Sequence, residues 1–255
     1  AGAQRFSLGK TPKTAGAARG KRRAGSQQSR LKTPMDPRRA RYLEAMGVTR
    51  WVSRHAPSAV PDPEPVVAEM DLQQLRQTVA VCRRCPLHES RTQAVFGVGS
   101  PSADWMIIGE APGAEEDRLG EPFVGRAGQL LDAMLKALGQ SRETVYIANV
   151  LKCRPPNNRD PRPEEAEKCA PYLERQITLV RPRIILALGR VAAQRLLETD
   201  SPLGRMRGRV FHYGEDRTPV IVTYHPAYLL RRPGEKGKVW LDLLLAARIV
   251  EGKSH

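Results

Sequence analysis

Four cysteines constrain this chain more than any other residues: Cys82, Cys85, Cys153 and Cys169 are its only ones. The first two form Cys82-Arg83-Arg84-Cys85, and a long interval separates them from Cys153 and Cys169. A four-thiolate set suits an iron–sulfur cluster or a structural zinc. A compact zinc ribbon would bring its second pair much closer to its first. Here the third cysteine lies beyond a whole strand–helix–strand passage. The spacing therefore favours iron–sulfur, with zinc the open alternative. Either metal would tie an N-terminal arm onto an already folded domain. Disulfides are disfavoured, because no secretory signal pattern is read at the start and Cys82 and Cys85 are too close for an ordinary bridge.

The chain has 255 residues, enough for one sizeable domain with appendages. No run approaches the roughly 20 apolar residues of a membrane helix, so no membrane role is expected. The net charge is +15 and unevenly spread. Residues 1–34 hold nine Lys or Arg and no Asp or Glu, and almost no large apolar side chain. Such a leader cannot bury enough surface to offset its ordering entropy, so it is expected to be disordered. A flexible basic arm is drawn to phosphate polyanions. A solubilising tail, translated sequence ahead of a start at Met35, or an organelle transit peptide are the other readings.

Residues 36–54 read as a short amphipathic helix with Leu43, Met46 and Trp51 toward one side. Pro57, Pro61, Pro63 and Pro65 mark an extended linker. Residues 35–70 thus join the leader to the main domain, 71–250, and 251–255 are a tail. A helix from about Asp71 leads into the first cysteine pair. After it, strand and helix alternate. Strands are expected at Trp105–Gly109, Val145–Val150, Arg183–Leu188 and Pro219–Tyr224. Helices are expected over Arg126–Leu138, from near Pro163, through about Leu197, and over Val239–Val250. Gly204, Gly208 and Gly214 suggest a hairpin. Strands that are apolar nearly throughout and separated by helices define an α/β fold. The expected form is a three-layer α/β/α arrangement on a central, mainly parallel four-stranded sheet.

In such folds ligands bind beyond the carboxyl ends of the strands. That rule selects Glu110, Asn149 and His225, which are far apart in sequence. Glu110 could activate water or stabilise a cationic transition state, or cap the next helix. Glu115, Glu116 and Asp117 form an acidic run of the kind that is usually a solvated surface. Phe123, between glycine-containing turns, could offer its face to a planar ligand or simply fill the core. Asn149 interrupts an apolar strand; its paired donor and acceptor match the edge of a nucleobase, or it is a structural amide satisfied within the protein. His225 could donate to a developing anion, or be an incidental loop histidine that happens to sit at the rim. Leu229, Arg231 and Arg232 could wedge a base stack while gripping phosphates, or pack as an ordinary helix surface. No GxxxxGK[ST] loop or GxSxG elbow is present.

The segments GEAPG, GEPFVGRAGQLL, ANVLKCRPPNNRDP and YHPAYLLR together resemble the family 4 uracil-DNA glycosylases, the iron–sulfur members of their superfamily. The resemblance covers roughly residues 71–250. It implies a [4Fe-4S] cluster on Cys82, Cys85, Cys153 and Cys169. It implies hydrolysis of the bond between uracil and deoxyribose in DNA, with the base flipped into the pocket. By the same resemblance Phe123 would stack on uracil, and Asn149 would bind its polar edge and reject cytosine. His225 would stabilise the departing base, and Glu110 would position water or stabilise the sugar cation, with Glu116 a second candidate. The best-known family of the superfamily has Asp where this chain has Ala111, so the carboxylate must come from elsewhere. A related group that crosslinks itself to DNA uses a histidine in an inserted basic loop. The loop RPPNNRDPRPEEAEKC has none, which implies a turning-over enzyme. No lysine stands out as a Schiff-base nucleophile. The expected protein is a monomer in the cytoplasm of a bacterial or archaeal cell, acting on single- or double-stranded uracil-containing DNA.

Overall fold

The computed structural model describes residues 41–43, 45–47 and 66–252. The chain divides into two compact units, 1–61 and 62–255. In the first, residues 41–43 and 45 are helical, and Met46 donates its amide to the Tyr42 carbonyl. Tyr42 and Met46 are both exposed. The expected helix over 36–54 is therefore seen only in part. Trp51, the basic leader and most of the proline-rich linker lie outside the described residues.

The second unit begins with a 3-10 turn, Val67–Glu69, and helix α1, Leu72–Ala80. Asp71 starts α1 by a reciprocal cap: its carboxylate accepts from the Gln74 amide while the Gln74 side chain accepts from the Asp71 amide. Leu75 and Val79, four residues apart, bury the same side of the helix. The short helix α2, Leu87–Ser90, follows the first cysteine pair.

The sheet has six strands: β1 (Val98–Gly99), β2 (Trp105–Gly109), β3 (Tyr146–Asn149), β4 (Ile184–Leu188), β5 (Val210–Tyr213) and β6 (Thr218–Thr223). Their order is β1-β3-β2-β4-β6-β5. The four inner strands are parallel, and both edges are antiparallel. The four expected strands are thus the inner ones; β5 and β6 form a hairpin with Gly214 in its turn, whereas Gly204 lies in a short helix, Leu203–Met206, and Gly208 precedes β5. The added edge β1 has only two residues, too few to show a period in the sequence.

Burial on two faces explains the apolar runs. Met106, Ile108, Ala148 and Ile185 face one core, with α1, α5 (Pro163–Val180) and α6 (Arg190–Leu196) over them. Trp105, Ile107, Ile147 and Leu186 face the other. That face is covered by α4 (Arg126–Ala137), α8 (Pro226–Arg231) and α9 (Lys236–Val250). Helix α3 (Ala114–Leu119) follows β2, and α7 (Leu203–Met206) precedes β5.

From β2 the chain moves to β3 on one side, then crosses to β4 on the other. Connections that leave in opposite directions open a crevice at the carboxyl ends of the strands.

Candidate active site

At that crevice lies a cleft of about 480 Å³ lined by Glu110, Glu116, Phe123, Asn149, His225 and Arg231, among others. The sequence-distant residues selected by the strand-end rule therefore converge. Asn149 is the last residue of β3 and stands opposite Gly109 of β2. It is buried, and its Oδ1 has no hydrogen-bond partner. An unpartnered buried carbonyl oxygen is costly unless a ligand donates to it.

Phe123 is buried and has φ of 55°, a left-handed conformation rare for an aromatic residue. Its backbone is gripped from two sides. Arg142 donates to the Pro122 and Phe123 carbonyls at 2.7 and 3.1 Å. Gly128 of α4 packs so closely on the Phe123 carbonyl that any Cβ there would collide with it. Strain held in this way fixes the ring in place.

His225 caps α8, and Pro226 takes the first helical position. The Ala227 amide donates to His225 Nδ1 at 3.1 Å, so a neutral ring carries its proton on Nε2. The ring is partly open to the cleft but densely surrounded, and burial pulls its pKa down to about 4, aided by the Arg231 charge and opposed by Glu116. It stacks on Phe123 with centroids 5.4 Å apart and planes 28° apart.

Burial pushes the Glu110 carboxyl up to about 7. The Asp160 charge adds to this and Arg190 opposes it. Asp160 also lines the cleft, and Arg190 holds it at 2.7 Å. Two further residues of the cleft, Arg159 and Tyr228, were not singled out in the sequence either. Arg159 and Asp160 belong to RPPNNRDP, in the loop that follows β3 beyond Cys153, so extending the strand-end rule along that loop would have found them.

Two expectations need correction. Glu116 is no free catalytic carboxylate: Oε2 accepts from Gly113 N at 3.1 Å, and Oε1 accepts from Val124 N and Gly125 N at 3.1 and 3.3 Å. It clamps the loop after β2 to the loop that carries Phe123. Its neighbour Asp117 is buried and accepts from the Thr92 amide. The acidic run is thus a pair of loop clamps rather than a uniformly solvated surface. Leu229 is 1% exposed and packs in the core beneath α8, so it cannot reach DNA from that position. The exposed apolar side chain of this helix is Leu230, directly followed by the exposed Arg231 and Arg232.

The four cysteines line one small pocket together with Arg84, Arg91, Lys152, Lys168 and Tyr172. Arg91 donates to Cys153 Sγ at 2.9 Å and to the Ala80 and Cys82 carbonyls, tying the N-terminal pair to the later loop. The Tyr172 hydroxyl donates to Cys82 Sγ at 3.2 Å, and the Lys152 amide donates to Cys169 Sγ at 3.4 Å. Burial pushes the Cys169 thiol up to about 12 and raises Cys153 as well. Among the described residues, no three His, Cys, Asp or Glu side chains converge closely enough to hold a single metal ion.

A strand-end cleft with an amide, an aromatic ring and an imidazole defines a site for a planar polar heterocycle. The family model described as the uracil DNA glycosylase superfamily matches residues 96–245, more than half of the chain. Among similar proteins is a type-4 uracil-DNA glycosylase of Archaeoglobus fulgidus, 49% identical over 64% of this chain and 84% of its own length. Those of Pyrobaculum aerophilum and Sulfurisphaera tokodaii are each 46% identical, over 69% and 64% of this chain and 93% and 77% of theirs. The chain belongs to the uracil-DNA glycosylase superfamily, in its type-4 branch.

Proposed function

We propose that this protein excises uracil from DNA by hydrolysing its N-glycosidic bond. The observation that carries the reading is the buried, unpartnered Oδ1 of Asn149 in a cleft shared with Phe123 and His225. A flipped uracil offers an N3–H donor and an O4 acceptor, which the Asn149 amide complements with Oδ1 and Nδ2. Cytosine reverses both, leaving two buried polar groups mismatched. Phe123 provides the stacking face. The neutral His225 ring donates Nε2–H to O2 as the C1′–N1 bond breaks and the electron pair leaves with the base. The deoxyribose cation left behind is attacked by water. Glu110, with a pKa near neutrality, is placed to accept the water's proton. The products are free uracil and an abasic site.

The enzyme is monofunctional, without lyase activity: among the described residues that line the cleft, the ionisable ones are carboxylates, arginines, a tyrosine and His225, and none is an amine. Leu230 takes the wedge role first assigned to Leu229, with Arg231 and Arg232 on phosphates. The protein acts as a monomer on uracil-containing DNA in the cytoplasm.

Cys82, Cys85, Cys153 and Cys169 would hold the [4Fe-4S] cluster. Four thiols around one cationic pocket suit an anionic iron–sulfur cluster. With thiols of raised pKa, ligation and deprotonation are coupled. When bound, the cluster supplies a covalent staple between the N-terminal arm and the loop after β3. We assign it no step in the reaction. A residues 71–250 domain, with the linker and basic leader outside it, carries all of these groups.

The test is a strand-cleavage assay on uracil-containing oligonucleotides, with iron counted on protein handled anaerobically. Wild type releases uracil, while Asn149→Ala and Glu110→Ala lose most of the activity. A folded, iron-loaded wild type that releases no uracil overturns the reading.

A further inference from the structure

The loop between Asn149 and Cys153 contains Lys152, which is 1% exposed. Its main chain is fixed on both sides: the carbonyl accepts from the Val95 amide at 2.8 Å, and the amide donates to Cys169 Sγ. Its side chain doubles back along β3, so that Nζ donates to the Asn149 carbonyl at 2.8 Å and to Gln176 Oε1 at 2.6 Å. Gln176 is fully buried, and its Nε2 donates to the Phe96 carbonyl and the Tyr146 hydroxyl at 2.9 and 3.0 Å. A polar spine thus runs from Asn149 through Lys152 and Gln176 to the first residue of β3.

Both oxygens held by the Lys152 amine belong to uncharged groups. An apolar side chain of similar length would fill the space without the cost of burying an amine. Packing alone therefore gives no reason for a lysine. The cysteine pocket that it also lines gives one, as a charge beside the thiols, and Asn149 gives a second. The Asn149 Oδ1 has no protein partner, so the placement of the amide rests on the main chain that carries it. The Lys152 amine holds that main chain at the Asn149 carbonyl.

We propose that Lys152 and Gln176 are positioning residues for base recognition, coupling the cysteine-bearing loop to the amide that reads uracil. The inference rests on the function proposed above. The loop that carries the cluster ligand Cys153 then also sets how well the base is held.

The test compares full-length wild type with Lys152→Met and Gln176→Met, each with iron content and melting temperature recorded. Three quantities are read: inhibition by free uracil, the single-turnover excision rate, and the Kd for an abasic-site duplex that leaves the base pocket empty. A variant of the opposite core, Leu243→Ala, controls for destabilisation. The spine variants are expected to weaken free-uracil inhibition about 10-fold, the scale of a lost hydrogen bond. The excision rate should fall by at least as much, with abasic-duplex Kd unchanged. A folded Lys152→Met with wild-type uracil inhibition overturns the inference, as does an equal loss in Leu243→Ala. If Lys152→Met does not fold, Gln176→Met decides by the same criteria. A wild type that releases no uracil fails the functional reading itself and takes this inference with it.

Discussion

Gly109 and Asn149 face each other across the β2–β3 ladder with no room for a side chain between them. A Cβ on Gly109 would strike Asn149 Oδ1 and come within 2.5 Å of Phe123 Cζ. The missing side chain lets the aromatic ring and the amide sit over the same strand end. Gly109→Ala should therefore displace both groups. Single-turnover excision should fall about 100-fold, as for other displacements of around 1 Å. The stability cost should be about 1–3 kcal/mol. Rapid-quench kinetics and denaturant unfolding check the two numbers.

The Glu110 carboxyl, raised to about 7, gives the reaction its acid limb. The excision rate should rise as pH passes upward through about 7. His225, with its pKa near 4, adds no limb between pH 5 and 8. Linkage has a definite sign as well. A carboxyl whose folded pKa is raised stabilises below its unfolded value, and that stabilisation is lost as pH rises through the folded pKa. Glu110→Gln should thus abolish the limb and raise the melting temperature at pH 8 relative to wild type, but not at pH 4. Melts and pH–rate profiles on both proteins test this.

Asn149→Leu should separate stability from function. It removes a buried acceptor without a partner, so stability should rise by about 1 kcal/mol while excision is lost. A lower melting temperature would show that the amide is satisfied within the protein.

Leu229 and Leu230 should behave oppositely. Leu229→Ala should cost about 2–5 kcal/mol of stability, as a large-to-small core change. Leu230→Ala should stay within about 0.5 kcal/mol of wild type. It should slow excision from duplex DNA more than from single strands, where no stack resists extrusion. Parallel assays on both substrates decide.

Cys153→Ser should lose iron and melting temperature together, because Cys153 takes the Arg91 hydrogen bond that ties the loop to the Cys82 carbonyl. An unchanged melting temperature after clean iron loss would contradict the staple role.

The inner sheet was legible because burial on both faces leaves unbroken apolar runs such as WMIIG and RIILAL. Helices α4 and α5 were legible from periodicity and from a proline start. The cleft followed from topology: Glu110, Asn149 and His225 each end or follow a parallel strand. What escaped depended on tertiary partners. Glu116 and Asp117 look like a solvated run until the amides that they accept from are brought near by the loop before α4 and by Thr92. Leu229 and Leu230 are adjacent apolar residues, and the turn of α8 decides which one is buried. Lys152 reads as one more surface cation, since nothing local marks its amine as enclosed.

Strand β6 lies between β4 and β5, although β5 precedes it in the chain. While the protein is being synthesised, β5 leaves the ribosome with its only neighbour still unmade, and β4 presents an open edge. His225 follows β6 and so is made only after the strand that fills that gap. A chain stopped before β6 thus carries its base-reading amide but no group to receive the leaving charge. Its bare strand edge also makes it a target for aggregation or proteolysis.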